Sequence, residues 1–375
     1  MPRRGLRSVF DTMISCETTP DLSIIVPVCN EQGILPDLFS ALDRQVSLRM
    51  EIIFCDGQST DATCSLIRDY QQRSCHDVQL ISTVRRRACQ MNAGARHSRW
   101  ALLLFLHADS GWTEDDLLLG AVKEFQSHQI KTDVALVAHF KLQFTGHDSP
   151  RFYRYLAAKS ALNLPGTVFG DQGLMVTRHA WSRAGGYDES LPILEDVEVV
   201  QRLMLSGQLF LLSGTLTTSS RRYQRDGVLR RQLENAVLLI LYSAGYRSLL
   251  PEVLGSYQTE VLSGSRAPGL FRWLHQLPLS AYCRFWFGCG SAQVRYFWLI
   301  PYRLYWWVGK SPTQAESIAK EWQRVVQPLI DTPLVHVVWA VFSWIVYYVF
   351  VLLNLPRWDM TVTNQNSIDH KRRNQ

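Results

Sequence analysis

A chain of 375 residues, 47% hydrophobic and 11% aromatic, is long enough for one large α/β domain plus an appendage and is no disordered tail. Its formal charge of +6 is a modest excess, held in short clusters such as Arg85-Arg86-Arg87, Arg221-Arg222 and Arg230-Arg231 without interleaved stacking aromatics. This argues against nucleic acid as a partner and for anion handling near a membrane. The eight cysteines show no C-x-x-C spacing and no paired His ligands, so free thiols in a reducing compartment are expected rather than zinc or disulfides. In the first twenty residues Asp11 and Glu17 interrupt any apolar core of signal-peptide length, and no export signal is expected there.

Along the chain, Leu22 to Val28, Glu51 to Cys55, Val78 to Thr83 and Ala101 to Leu106 are almost continuously apolar, as strands covered on both faces are. Between them Ile34 to Gln45, Thr60 to Gln72 and Ala88 to Ser98 have helical spacing, with Ser59 or Thr60 expected to cap the second helix. Alternating β and α units predict a mostly parallel, right-handed wound sheet that binds ligands at the carboxyl ends of its strands, where Glu31, Asp56 and Asp109 fall. No G-x-G-x-x-G follows the first strand; Asn30-Glu31-Gln32-Gly33 stands there, so a nucleotide would be recognised by carboxylates and not by a glycine cradle. Further on, Gly170-Asp171-Gln172-Gly173 forms a polar loop before the apolar run Leu174 to Val176. Glu195-Asp196 then opens a helix to Leu205 with the inward stripe Val197, Val200, Leu203 and Met204.

Taken in order, Ile24-Ile25-Val26-Pro27-Val28-Cys29-Asn30-Glu31, Asp56-Gly57-Gln58-Ser59-Thr60-Asp61, Phe105-Leu106-His107-Ala108-Asp109, Gly170-Asp171-Gln172-Gly173, Glu195-Asp196 and Arg221-Arg222-Tyr223 resemble the motifs of family 2 glycosyltransferases with a GT-A fold. The resemblance runs from about Leu22 to Tyr257. It implies a GT-A type α/β sheet flanked by helices and a nucleotide-diphosphate sugar as donor. Pro27, Glu31, Asp56 and Asp61 would lie at the nucleotide. Arg87, Gln90 and Asn92, in a segment similar to the family's R-x-x-Q-x-N-x-G element, would contact nucleotide or phosphate. Asp109 would hold Mg²⁺ or Mn²⁺, and His107, in place of the first carboxylate of the family's D-x-D pair, would contact the donor. The wording F-L-H-A-D, Q-M-N-A-G and G-D-Q-G resembles a branch linked to arsenosugar biosynthesis. Gly170, Asp171, Gln172 and Glu195 would face sugar or acceptor, and Asp196, matched to the family's E-D-x-E-x-x-x-R segment, would be the catalytic base. Arg221 or Arg222, in a degenerate Q-x-x-R-W element, would close over the diphosphate as a guanidinium fork. Each motif has a plain alternative as well: strand-end carboxylates in a turn, a solvated basic helix start, or acidic residues matching a helix dipole.

Beyond Tyr257 the resemblance stops. Phe271 to Val308, crowded with aromatics and carrying Arg272, Arg284, Arg295 and Arg303, suits an interfacial helix pair, and Leu334 to Leu355, free of charge, has the length of a bilayer span. The expected organisation is an extension over 1–20, a catalytic domain over 21–257, an interfacial helical region over 258–333, a transmembrane helix over 334–355 and a basic tail over 356–375. The expected activity is metal-dependent, inverting sugar transfer to the hydroxyl of a small or lipid-linked acceptor, by a membrane-attached enzyme with its catalytic domain in the cytoplasm. The alternatives are a polyprenyl-phosphate glycosyltransferase and a catalytically silent membrane scaffold.

Overall fold

The computed structural model describes residues 21–45, 47–132, 134–146, 150–164, 166–251, 273–309 and 312–354. The extension over 1–20, the boundary at Tyr257, Phe271, Arg272, Leu355 and the tail over 356–375 lie outside them. The chain forms two compact units: one runs to Ser190 and takes in Glu195–Ser219, and the other comprises Leu191–Leu194 and the chain from Ser220 onward.

In the first unit the apolar runs become strands β1 (Asp21–Val28), β2 (Arg49–Asp56), β3 (Asp77–Ser82) and β4 (Leu102–Phe105), joined by helices α1 (Leu35–Asp43), α2 (Thr63–Arg73) and α3 (Arg87–His97). Next come α4 (Leu117–Gln129), β5 (Ala135–Thr145), α5 (Pro150–Ser160), β6 (Leu174–Thr177), α6 (Arg178–Arg183), α7 (Glu195–Met204) and β7 (Gly207–Ser219). The sheet has seven strands in the order β3-β2-β1-β4-β6-β5-β7, and it is mostly parallel: only β6 runs against its neighbours β4 and β5. Chain order reverses between β1 and β4, the position at which wound sheets leave a crevice for ligands.

Both faces of the sheet are covered, which is why its central strands are apolar throughout. On one face Ile25, Ile53, Leu103 and Val176 pack against Ala88, Met91 and Ala95 of α3, Trp181 of α6 and Val199, Val200 and Leu203 of α7. On the other, Phe39 of α1 meets Phe54 edge-on at 5.8 Å and stacks on Tyr70 of α2 at 4.1 Å. Gly94 sets how closely α3 can lie: a Cβ there would sit 2.7 Å from the Cys55 sulfur and nearer still to the Ile25 side chain. At the end of the sheet remote from the crevice, Glu51 is fully buried. It accepts hydrogen bonds from the Ser23 hydroxyl at 2.6 Å, the Arg99 backbone N–H and the Arg99 guanidinium, so the desolvated charge is compensated on every side.

Pro27 stands in a central strand, where proline is ordinarily excluded because it lacks a donor for the ladder. The Ile25 carbonyl accepts from Leu106 N–H, so the odd-numbered residues of β1 face β4 here, and β4 has ended by the level of Pro27. The missing N–H therefore falls where the sheet has already opened.

The second unit is helical: α8 (Arg221–Asp226), α9 (Val228–Ser243), α10 (Leu279–Arg295), α11 (Leu299–Trp307), α12 (Pro312–Glu321), a π-helical turn (Trp322–Val326), α13 (Gln327–Ile330) and α14 (Pro333–Asn354). The stretch expected as an interfacial helix pair contains α10 and α11, with a further helical turn at 273–276, and the uncharged run expected as a transmembrane helix forms α14. Among the described residues no single helix is long and apolar enough to cross a membrane, although Gln314–Ile330 and Pro333–Val349, bent by 96°, qualify as a pair.

Candidate active site

The loops after β1 and β2 are laced together by their polar side chains. Asn30, in the left-handed region at φ 57°, donates its N–H to the Ser59 hydroxyl at 3.0 Å and accepts at its amide oxygen from Thr60 N–H at 2.8 Å. Glu31 N–H donates to the Thr63 hydroxyl, and Gln32 exchanges hydrogen bonds with Asp61 and Ala62. The Asp56 carboxylate, almost wholly buried, accepts from the N–H groups of Gln58 and Ser59 and so turns the chain on itself. Burial pushes the Asp61 carboxyl up, but hydrogen bonds from Thr63 and Gln32 outweigh it and hold the group below its ordinary range. Asp61 also bonds the Thr63 N–H at the start of α2, while Ser59 and Thr60 are drawn towards Asn30. The cap expected from those hydroxyls is therefore absent, because the short aspartate nearer the helix has taken its place.

Three residues expected at the nucleotide are held by the protein itself. Gln90 spends its amide N–H₂ on the carbonyls of Val28 and Cys55, at 2.8 and 2.7 Å, and so pins the carboxyl ends of β1 and β2 to α3. The Asn92 amide bonds the Tyr187 backbone at both ends and Glu189 besides. Arg87 lies 3.5 Å from the buried Glu195 carboxylate. Burial raises the Glu195 carboxyl; the Arg87 charge opposes this, and Asp196 adds to it.

At the carboxyl end of β4 the chain brings a second group together. The Gly170 N–H donates to Asp196 Oδ2 at 2.5 Å, and Val197 N–H donates to Oδ1 at 2.7 Å, which fixes the orientation of this carboxylate at the mouth of α7. Gly170 also separates Asp196 from His107: a Cβ at this position would lie 2.6 Å from His107 Nε2 and 3.1 Å from Asp196 Oδ2. Asp109 receives the Thr218 hydroxyl at 3.5 Å, beside the bridge that ties Gly111 to Thr217. Asp171 is pushed up to about 7 by burial and by the charges of Asp196 and Asp109, with Lys159 acting the other way. Its Oδ1 is enclosed and has no hydrogen-bond partner. Gln172, by contrast, is buried with its amide on the Thr167 carbonyl.

Arg221 and Arg222 open α8 in the second unit, both side chains exposed. Lys159 and Thr218 belong to the Asp171 and Asp109 surroundings and were not singled out from the sequence. The one available signal was a lysine inside the otherwise apolar stretch Tyr155-Leu156-Ala157-Ala158-Lys159. Among the described residues no group of three or more His, Cys, Asp or Glu side chains is drawn tightly enough to hold an ion alone.

Residues 23–178, the segment from β1 through β6, match the family model for glycosyl transferase family 2. Over 67 residues the chain is 42% identical to the 4,4'-diaponeurosporenoate glycosyltransferase of Staphylococcus haemolyticus (strain JCSC1435). That alignment covers 18% of this chain and 17% of the relative, so the chain spans only a small part of that protein's length. Among solved structures it is similar to the mannosyltransferase PcManGT from Pyrobaculum calidifontis in complex with GDP-Man and Mn²⁺, at 17% identity and TM-score 0.45 over 86% of each chain. It is also similar to S. aureus TarS 1–349, at 12% identity and TM-score 0.44 over 81% of this chain and 91% of that one.

Proposed function

We propose that this chain is an inverting glycosyltransferase of GT-A type that takes a sugar from a nucleotide-diphosphate donor and transfers it to an acceptor hydroxyl. The observation that carries the reading is the carboxylate group at the crevice: Asp196 oriented by Gly170 N–H beside His107, with the Asp171 carboxyl pushed up by burial and by the charges of Asp196 and Asp109. Glu31, Asp56 and Asp61 then serve the nucleoside, and Arg87, Gln90 and Asn92 shape its pocket from α3. A carboxylate cluster in which burial and the charges of Asp196 and Asp109 push up the Asp171 carboxyl, whose enclosed Oδ1 has no partner, fits a divalent cation; Asp109 would hold it together with diphosphate oxygens, since Mg²⁺ and Mn²⁺ sites of this kind need only one or two protein carboxylates. When bound, the cation would neutralise the leaving diphosphate.

Asp196 takes the proton of the acceptor hydroxyl as its oxygen forms the bond to the anomeric carbon, and the bond from that carbon to the diphosphate breaks on the opposite face. Asp171 and Gly170 position the sugar between them. The shared F-L-H-A-D wording supports the branch linked to arsenosugar biosynthesis, and Arg221 or Arg222 is assigned to the leaving diphosphate by motif alone. The large apolar side chains exposed along α14, among them Leu334, Val338, Phe342 and Ile345, support attachment of the second unit to a membrane with the catalytic unit on the cytoplasmic side. A lipid-linked acceptor is the second reading this surface favours. Free nucleoside diphosphate, measured over a panel of nucleotide sugars with Mg²⁺ or Mn²⁺, tests the activity. Asp196→Asn should slow transfer by about 10²-fold or more with little change in donor affinity. Near wild-type transfer by that variant to a lipid phosphate would replace the hydroxyl-acceptor reading with polyprenyl-phosphate transfer, and absence of transfer in both forms would favour the silent scaffold.

A further inference from the structure

Helices α10 and α14 of the second unit meet backbone to backbone at one point. A Cβ on Gly290 would lie 2.6 Å from the Ala340 nitrogen and closer still to the His336 carbonyl oxygen. Away from that crossing, bulky side chains prop the helices apart: Trp286 against Tyr347 at 5.5 Å, and the Trp344 indole N–H donating to the Tyr282 hydroxyl at 2.6 Å. Between crossing and props lies an open groove of about 470 Å³, within the range of about 300–1,000 Å³ usual for small-ligand sites. Trp286, Phe287, Val337, Val341 and Trp344 line it, and the exposed Arg284 borders it.

We propose that this groove binds one acyl chain of an anionic phospholipid, with the phosphate held by the Arg284 guanidinium. The proposal rests on the membrane attachment inferred above. Apolar exposure does not stop at the groove: Leu334, Val338, Phe342, Ile345 and Val349 continue it along another stripe of α14, a surface broader than one partner seam covers. Polar and aromatic groups bracket this surface as interfacial residues do. At one level Asp331 pairs with His336 at 2.6 Å; at the other Tyr282, Tyr348 and His275 form a hydrogen-bonded chain. From His336 to Tyr348 the helix rises roughly 18 Å at about 1.5 Å per residue. Arg284 lies on the groove's border, six residues along α10 from the crossing at Gly290. A guanidinium beside an apolar slot matches a phosphate above a hydrocarbon chain.

The test uses the full chain in phosphatidylcholine vesicles that carry, at equal mole fraction, either a diazirine-tailed phosphatidylglycerol or its phosphatidylcholine analogue. Adducts are mapped by peptide mass spectrometry, and flotation measures total membrane binding. Adducts on 282–287 and 337–344 should favour phosphatidylglycerol about fivefold, the effect of one cation near an anionic headgroup. Arg284→Gln should abolish the preference, Arg284→Lys should keep it, and Val341→Trp should empty the groove of both probes while flotation is unchanged. Equal labelling by both lipids, unaltered by Arg284→Gln, overturns the groove and leaves membrane attachment standing. Groove peptides that cross-link to a second copy overturn it also, whereas failure of the wild-type chain to float removes the membrane reading itself.

Discussion

Replacing Asp171 with asparagine should stabilise the protein while disabling it, and the size of the gain should depend on pH. The Asp171 carboxyl rises from 3.8 to about 7 because it is buried beside Asp196 and Asp109. Below about pH 4 it is neutral in both folded and unfolded chains and has no effect on their balance. Between about pH 4 and 7 the unfolded chain releases this proton and the folded one does not, so stability falls as pH rises. At about 1.4 kcal/mol per pKa unit the full shift is worth about 4 kcal/mol; the residue keeps partial access to solvent, and screening brings this to about 2 kcal/mol. An amide of the same shape carries no such penalty. Thermal unfolding in EDTA should then show Asp171→Asn melting about 4–8 °C above wild type near pH 8, at about 2–4 °C per kcal/mol, and much closer to it near pH 5. An advantage that is equal at both pH values, or a variant less stable near pH 8, would refute the electrostatic account of this loop.

Gly170→Ala should lower turnover by about 10- to 100-fold, since the added methyl meets both His107 and Asp196; Gly33→Ala, with open space around it, is the control, and equal rates in the two variants would remove Gly170 from the site. Asp109→Asn should abolish turnover and weaken nucleoside-diphosphate binding by calorimetry while His107→Asp retains activity; full activity of the asparagine variant in EDTA counts against a metal at Asp109. Gly94→Ala should cost about 1–3 kcal/mol in urea unfolding, because α3 would be forced off β1 and β2, and an unchanged midpoint would mean that the core yields there freely.

The strands β1 to β4 were legible in the sequence because helices cover both faces and leave no polar alternation to blur the pattern. Strands β5 and β7 were not. In β5, His139, Lys141 and Gln143 interrupt the apolar run, and His139 is fully buried on the Asn163 amide rather than exposed; β7 is diluted by Gly214, Ser213 and Thr215. At the site the carboxylates could be assigned to the strand ends, since a charge that follows a continuous apolar run ends the strand; Asp56 turns its own backbone there. The amides could not, because Gln90 and Asn92 satisfy backbone carbonyls as readily as a ligand, and only the path of the chain near Val28, Cys55 and Tyr187 decides between them. Arg221 and Arg222 show the complementary limit, for nothing in a degenerate motif indicates that the compact unit ends at Ser219.

One proline sets a limit on variation in this fold. Strand β4 is only four residues long, and the next positions, Leu106, His107 and Ala108, are apolar or neutral enough to prolong it. A longer β4 would zip the crevice shut and carry Asp109 out along the sheet. At Pro27 the neighbouring strand has no hydrogen to give, so that extension would forfeit a ladder bond at its first step. The opening is thus kept by an atom the chain lacks. Substitutions that raise strand propensity around His107 should be tolerated while Pro27 is present, and should begin to close the crevice once it is replaced.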